Sequence, residues 1–222
     1  MKSLPLLLLG CLFSLYGCTQ QKTKTIVVNK PTDTDLPVGG RCEGCEAIFE
    51  SPLPFDELVS TDTQPGFDGA GPKIEISGTI YQPDGKTPAA NVVLYVYHTD
   101  QQGLYPKKGD EKGLAKQHGY IRGWIKTGAD GSYKFYTLIP ASYPNSNNPQ
   151  HIHPVIKEPG KCAYWIDEFH FDTDPLLPAH EKTKANPIGS NGVLTPIMKD
   201  GMFRASRDIT LGSNVRNYSE GQ

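Results

Sequence analysis

Much of the chain alternates apolar and polar residues with a period of two. In the stretch KIEISGTIY, Ile74, Ile76 and Ile80 alternate with polar neighbours, and SYKFYTL repeats the pattern farther along. Successive side chains of a strand point to opposite faces, so the alternation indicates strands with one buried face. Turn residues separate these segments, including the hairpin signal Asp130-Gly131. We therefore predict an all-β fold, an antiparallel β-sandwich with irregular N-terminal and C-terminal extensions.

Length and charge narrow the possible functions. The chain has 222 residues and a formal net charge of -2, with 23 Gly and 19 Pro. That length is typical of one domain, and the high glycine and proline content favours turns and short strands over long helices. A nucleic-acid partner would require a clustered basic face, so near neutrality predicts no such partner. The oligomeric state is not indicated by any of these features.

The N-terminal stretch MKSLPLLLLGCLFSLYGC has the pattern of a secretory signal. Lys2 precedes an apolar run over 4–15, which is too short to span a bilayer. Its ending, LYGC, resembles the lipobox of bacterial lipoproteins, which implies cleavage before Cys18 and a lipid on that cysteine. A signal cleaved elsewhere or an uncleaved anchor is the alternative. We expect a protein held to a membrane of the bacterial cell envelope by its lipid, with a signal peptide over 1–17, a tether over 18–40 and one β-sandwich domain over 41–222.

Three cysteines remain beyond the proposed lipid site, namely Cys42, Cys45 and Cys162. Disulfides persist in the oxidising compartment that we expect for this protein. The local CEGC motif also allows a redox pair or half of a zinc site, although one CxxC motif is weak evidence for zinc. We predict a structural disulfide, either Cys42–Cys45 or one of these two with Cys162.

The stretch YPNSNNPQHIH ends in two histidines, His151 and His153, two residues apart. On a strand such residues share a face, so their imidazoles can converge on one metal ion; the alternative is a solvated face. Tyr143 lies in the loop before them, and Tyr105 follows an earlier strand. Two phenolates, two imidazoles and a hydroxide would neutralise a trivalent ion, which a buried site favours. If all four side chains converge, their chemistry points to Fe(III).

A larger set of motifs surrounds these four residues, and together they resemble the intradiol ring-cleavage dioxygenases, the catechol and protocatechuate 3,4-dioxygenase family. The resemblance covers about 73–176. It is carried by Gly103 and Tyr105, Arg122-Gly123, Thr127, Asp130-Gly131, Tyr133, Phe135, Thr137, Pro140, Tyr143-Pro144, His151-Ile152-His153, Phe171, Asp174 and Pro175.

The resemblance implies both a cofactor and a reaction. Non-haem Fe(III) would be held by Tyr105, Tyr143, His151 and His153. Tyr143 would also act in catalysis by helping to accept the protons of a catechol-type substrate. The expected partners are this small molecule and O2, and the expected product is a muconate-type diacid.

Two positions depart from the family pattern. Asn148 stands where the family usually has arginine, and Glu168 aligns with a glutamine that often lines the pocket. We predict catalytic roles for Asn148, which would make the enzyme slow or selective, and for Arg122, which is a candidate to supply the missing cation. The alternative for Arg122 is a position on the exterior of its strand.

The alternative hypothesis is a non-catalytic module. The strand-and-turn segments also resemble the transthyretin-like and carboxypeptidase-regulatory-like sandwich modules of the cell envelope, in which the histidine pair would be incidental. We further expect Trp124 and Trp165 to pack between sheets. Surface or ordinary strand positions are expected for the histidines without partner spacing, which are His98, His118, His170 and His180.

Overall fold

The structure is a computed structural model that describes residues 38–218. The expected signal peptide over 1–17, the lipid site Cys18 and nearly all of the tether over 18–40 lie outside the described residues. Within residues 38–218, no helix has the length and apolar character needed to cross a membrane.

The described residues form mostly short strands. Their helices are the 3-10 helix Cys45–Glu50, α1 (Ala115–His118) and α2 (Ala179–Lys182). The strands are β1 (Thr61–Thr63), β2 (Lys73–Tyr81), β3 (Val93–Tyr97), β4 (Arg122–Lys126), β5 (Ser132–Leu138), β6 (His151–Lys157), β7 (Tyr164–Trp165), β8 (Phe169–Phe171), β9 (Val193–Leu194), β10 (Ile197–Lys199), β11 (Met202–Ser206) and β12 (Ile209–Thr210).

The strands form two sheets, as the period-two pattern predicts. The first sheet has the order β1-β5-β2-β11-β10 with β12 also on β2, and the second has the order β4-β3-β6-β8-β9 with β7 on β6. The all-β sandwich is confirmed, but the sheets are mixed rather than purely antiparallel. The pairs β1–β5, β2–β11, β2–β12 and β8–β9 are parallel. Alternation indicates which face of a strand is buried, and it does not indicate the direction of the neighbouring strand.

The main core lies between the two sheets. Strand β5 alternates strictly, with Tyr133, Phe135 and Thr137 buried and the intervening residues half-buried. Phe135 meets Phe169 of the second sheet edge-on, with ring centroids 5.8 Å apart. The residues that face this core from β2 are Ile74, Ile76 and Ile80, all fully buried.

The second sheet is also covered on its other face, which we call the outer face. From β6, Ile152 and Ile156 enter the main core, while Val155 belongs to a separate apolar cluster. That cluster includes Ala47 and Ile48 of the 3-10 helix. His151 and His153 share the parity of Val155 and therefore lie on the outer face.

Several expectations about aromatic and histidine residues require correction. Trp124 packs in the outer cluster rather than between the sheets, and Trp165 is 36% exposed. His98 and His118 are buried, not at the surface. A single histidine carries no periodic signal of its own, so its burial depends on which segments cover it.

Of the three disulfide pairings that the sequence allows, the structure contains the local one, Cys42–Cys45. Cys162 is free and exposed. The disulfide ties the first residue of the 3-10 helix to Cys42, and Ala47 and Ile48 of that helix cover the outer face of the second sheet.

Candidate metal centre

The histidine pair begins strand β6 and projects from the outer face of the second sheet. The Nδ1 atom of His151 lies 2.6 Å from the carbonyl oxygen of Pro149. A carbonyl only accepts hydrogen bonds, so Nδ1 carries the proton and Nε2 has the free lone pair. His153 lies opposite Tyr97 in the β3–β6 register, and the two rings stack with centroids 4.6 Å apart. Both imidazoles are therefore held in fixed orientations by neighbouring groups.

The two tyrosines come from loops that cross each other. Tyr105 follows β3, and Tyr143 lies between β5 and β6. Where the loops cross, Gly103 has φ +74°, and a Cβ at this position would lie 2.0 Å from the carbonyl oxygen of Ser142. Glycine is thus required both by the backbone conformation and by the close approach of the loop before Tyr143. This crossing brings the two phenols together.

The four side chains form one compact group, which we call the four-ring cluster: Tyr105, Tyr143, His151 and His153. The two phenol oxygens lie 2.6 Å apart. His153 Nε2 is 2.9 Å from the oxygen of Tyr105 and 3.3 Å from that of Tyr143, and His151 Nε2 is 3.1 Å from the oxygen of Tyr143. Donors bonded to one ion at about 2.0–2.1 Å lie roughly 2.8–3.4 Å apart at right-angled to tetrahedral geometry. Three of the four separations lie in this range, and the 2.6 Å between the phenol oxygens is slightly shorter. The donor set therefore fits a single metal ion once the two phenols move slightly apart.

The protonation of the four-ring cluster depends on a cation. Burial raises the pKa of Tyr105 and of Tyr143, and it lowers the pKa of His151. The imidazole is then neutral, as a metal ligand must be, whereas the phenols ionise only beside a positive charge. A hard trivalent ion would supply that charge and would take phenolate oxygens as ligands.

A second grouping of potential metal ligands shares the two histidines. Single donor atoms of His151, His153 and Glu168 lie within 4.8 Å of one another. The carboxylate of Glu168, however, is 3.4 Å from Nδ1 of His153, on the far side of the ring from the Nε2 atom that meets the phenols. An ion on Nε2 therefore leaves Glu168 as a partner of the ligand rather than as a ligand.

Glu168 also meets a third histidine. Its other carboxylate oxygen lies 3.5 Å from Nε2 of His170. The interactions with His153 and His170 hold the pKa of Glu168 well below its usual range, despite the opposing effect of burial. The sequence indicated only that Glu168 replaces a glutamine, and the contacts with the two histidines come from the pairing of β6 with β8.

The remaining predicted site residues are not brought into the four-ring cluster. The guanidinium of Arg122 donates to the carboxylate of Glu50 at 2.7 Å. Asn148 is exposed, and its backbone N–H donates to Ser146 Oγ at 2.9 Å. The hypothesis that Arg122 supplies the cation missing at 148 thus gains no support, because its charge is already paired with Glu50.

A ring stack beside the cluster has no simple sequence signal. His118 stacks on Tyr97 with centroids 3.7 Å apart and an interplanar angle of 4°, and Tyr97 in turn stacks on His153. Nδ1 of His118 lies 2.9 Å from the hydroxyl of Tyr95. The run YVY in β3 shows that Tyr95 and Tyr97 share a face, but α1 brings His118 onto them only in the folded chain.

Comparison with known proteins places this geometry in a family. The family model described as "Dioxygenase" matches residues 49–201. The chain is 31% identical to catechol 1,2-dioxygenase 1 of Acinetobacter lwoffii over 176 residues, 68% of this chain and 55% of that protein. It is 26% identical to the protocatechuate 3,4-dioxygenase beta chain of Burkholderia cepacia over 130 residues, 56% of this chain and 55% of that protein. The chain belongs to the intradiol ring-cleavage dioxygenase family.

Solved structures share the fold. The dioxygenase domain of a dioxygenase–carbohydrate-binding protein fusion from Streptomyces sp. SirexAA-E matches with a TM-score of 0.51 at 23% identity, over 72% of this chain and 94% of that one. Catechol 1,2-dioxygenase from Acinetobacter sp. ADP1 matches with a TM-score of 0.51 at 19% identity, over 72% of this chain and 60% of that one. These similarities concern the fold alone. The chain spans about half the length of the two curated relatives above.

Proposed function

We propose that the protein is a non-haem Fe(III) intradiol dioxygenase that cleaves a catechol-type diol with O2. The carbon–carbon bond between the two hydroxylated carbons breaks, and both atoms of O2 enter the product. A muconate-type diacid therefore forms without an external reductant. The observation that carries the proposal is the convergence of two phenol oxygens and two Nε2 atoms within 3.3 Å of their neighbours.

The residues of the four-ring cluster divide the work of holding the metal and moving protons. A bound ferric ion would supply a Lewis acid that favours loss of both catechol protons, and the resulting catecholate would be electron-rich at carbon. His151 and His153 would hold the ion through Nε2, with their Nδ1 atoms oriented by the Pro149 carbonyl and by Glu168. Tyr105 would remain a fixed anionic ligand. Tyr143 would accept a substrate proton on its phenol oxygen. Burial raises the pKa of Tyr143, so its phenolate readily takes up a proton when no cation is bound to it.

The decisive experiment is the iron content and absorption spectrum of the purified protein. We expect about one ferric ion per chain and a red to burgundy colour from tyrosinate-to-iron charge transfer. Tyr105→Phe and Tyr143→Phe should each change this band, and His151→Ala and His153→Ala should lose the metal. Tyr97→Phe is the matched control, because it keeps the ring stacked on His153 and lies outside the four-ring cluster; it should keep the band.

Two outcomes would contradict the proposal. A colourless protein after iron loading would favour the non-catalytic sandwich module instead. A wild-type spectrum in all four ligand variants would show that the iron is bound elsewhere.

We also propose that a lipid on Cys18 anchors the protein to a membrane of the bacterial envelope. The LYGC motif supports this, because it ends the apolar run at a small residue followed by cysteine. Stable anchoring requires more than one acyl chain, at about 0.8 kcal/mol for each buried methylene. Cys18→Ser should release the protein from the membrane fraction or block its processing. Normal signal cleavage with unchanged membrane association would rule out the lipid.

A further inference from the structure

One buried histidine lies beside the four-ring cluster without belonging to it. His118 is the last residue of α1 and is 5% exposed. Its ring stacks on Tyr97 with centroids 3.7 Å apart, and Tyr97 stacks on His153 with centroids 4.6 Å apart. The planes are nearly parallel in both pairs, at 4° and 17°. Two imidazoles this close to one face of the same phenol ring would overlap, so they occupy opposite faces of Tyr97.

The ring of His118 is fixed at both of its nitrogens. Nδ1 lies 2.9 Å from the hydroxyl oxygen of Tyr95. Gly44 packs against the other nitrogen, since a Cβ at this glycine would lie 2.6 Å from Nε2. Gly44 stands between Cys42 and Cys45, which are joined by the disulfide, so the segment over the ring is itself constrained. The imidazole therefore cannot move away from Tyr97 without disturbing several neighbouring groups.

The residues that follow α1 contact a second proposed ligand. Gly119 has φ +69°, and a Cβ at this position would lie 2.9 Å from the carbonyl carbon of Tyr105. The backbone N–H of Tyr120 donates to the carbonyl oxygen of Pro106 at 3.0 Å. One short segment thus supports the backbone of Tyr105 and, through the ring stack, the imidazole of His153. Nε2 of His153 meets the phenol oxygen of Tyr105 at 2.9 Å.

We propose that His118 is a positioning residue for the metal ligand His153, acting through the ring of Tyr97. This inference rests on the proposed function. The plane of a ligand imidazole decides where its lone pair points, and groups that fix this plane contribute to metal affinity. A tilt of His153 would turn Nε2 away from the phenol oxygens. Burial lowers the pKa of His118 to about 4, so at neutral pH the ring supports the stack without placing a positive charge near the ion.

The test compares the full iron-loaded chain with variants that separate the ring stack from the hydrogen bond. His118→Asn removes the stacked ring, and its amide can still bond to the hydroxyl of Tyr95. Tyr95→Phe removes that hydrogen bond and leaves the ring of His118 in place. The readouts are the charge-transfer band, the electron paramagnetic resonance spectrum of the ferric ion, and the rate of iron release to excess chelator. None of them requires turnover.

His118→Asn should shift the band, change the ferric resonance and release iron about tenfold faster, at the lower end of the range for losing a group that orients a ligand. Tyr95→Phe should keep the band and release iron less than about threefold faster, because it affects the stack only indirectly. His98→Gln is the matched control: His98 is also buried, but its Nε2 bonds to Thr137 outside the stack. It should keep both the band and the release rate.

The outcomes separate this inference from the proposed function. A wild-type band and release rate in folded His118→Asn would overturn the positioning role, and so would an equal acceleration in His98→Gln or Tyr95→Phe. His118→Gln replaces the asparagine variant if the latter does not fold. Tyr97→Leu combined with His118→Asn should release iron no faster than Tyr97→Leu alone, because both act through one stack; additive effects would contradict this route. If the wild-type chain takes up no iron, the proposed function fails and the positioning role with it.

Discussion

The two sheets of the sandwich use the same strand geometry for different purposes. In β5 of the first sheet, alternate residues are buried in the core and the intervening ones are half-buried. In β6 of the second sheet, His151 and Ile152 are both buried although they point to opposite faces. The difference arises because the second sheet has a cover on its outer face, formed by residues around the 3-10 helix.

The comparison shows which face of a β-sandwich can hold a polar functional site. A face buried against the other sheet has to be apolar, because an unpaired polar group there costs stability. A covered outer face is also shielded from water, but its cover consists of loops and a short helix. These segments bring polar side chains, and they can cross closely where a glycine allows it. The four-ring cluster lies on this outer face, so we expect mutations to separate the proposed metal binding from core packing.

The largest expected effects test that separation. Phe135→Ala should lower the free energy of unfolding by about 3–5 kcal/mol, because it removes a fully buried aromatic side chain. The folded fraction should still bind iron with the same spectrum. His151→Ala should show the reverse, a loss of iron with a smaller loss of stability. Denaturant titration paired with iron analysis measures both quantities on each variant.

A matched control comes from the second sheet. Phe169 faces the same core from β8, so Phe169→Ala should behave as Phe135→Ala does. If Phe169→Ala instead abolishes iron binding in folded protein, the two faces of the second sheet are coupled and the separation is wrong.

Acid should destabilise the protein at the junction between the two sheets. His98 directly follows β3 and is buried, and its Nε2 lies 2.6 Å from Thr137 Oγ1 of β5. Burial lowers the pKa of His98 to about 4. Between about pH 6.5 and 4 the unfolded chain binds a proton that the folded chain does not, so stability falls as the pH falls through this window. The loss at the acid end should be roughly 3 kcal/mol for this group.

Unfolding free energies measured at several pH values in this window check the junction prediction. His98→Gln should make the unfolding free energy depend less on pH in this window, whether or not the variant is less stable at neutral pH. Burial also lowers the pKa of His118 to about 4. Part of the pH dependence of the unfolding free energy should therefore remain in the His98→Gln variant. An identical slope in wild type and His98→Gln would contradict the assignment.

The smallest effects concern the two polar residues predicted to be catalytic. A cation near the substrate ring would stabilise the carbanion character that develops before O2 attack, but position 148 is exposed and its charge is screened by water. Asn148→Arg should therefore raise kcat/KM on an electron-rich catechol by less than about fivefold. Arg122→Ala should leave kcat/KM unchanged, because its guanidinium is paired with Glu50. Steady-state oxygen uptake measures both.

Opposite outcomes would reassign these two residues. A fall in kcat/KM in Arg122→Ala at constant iron content would restore the compensation hypothesis. If Asn148→Arg is inert while Asn148→Ala abolishes turnover, the asparagine has its own specific role.

The members of the four-ring cluster were predictable from sequence because their signals are local. The i, i+2 spacing of His151 and His153 fixes a common face on any strand, and the run around Tyr143 carries the family pattern. The surroundings were not predictable, because they depend on contacts between distant segments. Arg122 illustrates this: its sequence position allowed either a cation directed into the cavity or a strand-exterior arginine, and the fold pairs it with Glu50, 72 residues away.

The amino-acid sequence by itself determined that this chain forms a β-sandwich, that two histidines share one face of a strand, and that the residue types suit ferric iron. Each of these follows from a period of two or from donor chemistry. Only the tertiary structure decided which face of β6 the pair occupies, which loops deliver the phenols and where Glu168 places its charge. The physical reason is that a strand's own pattern shows which residues share a face, whereas the cover on that face comes from remote parts of the chain.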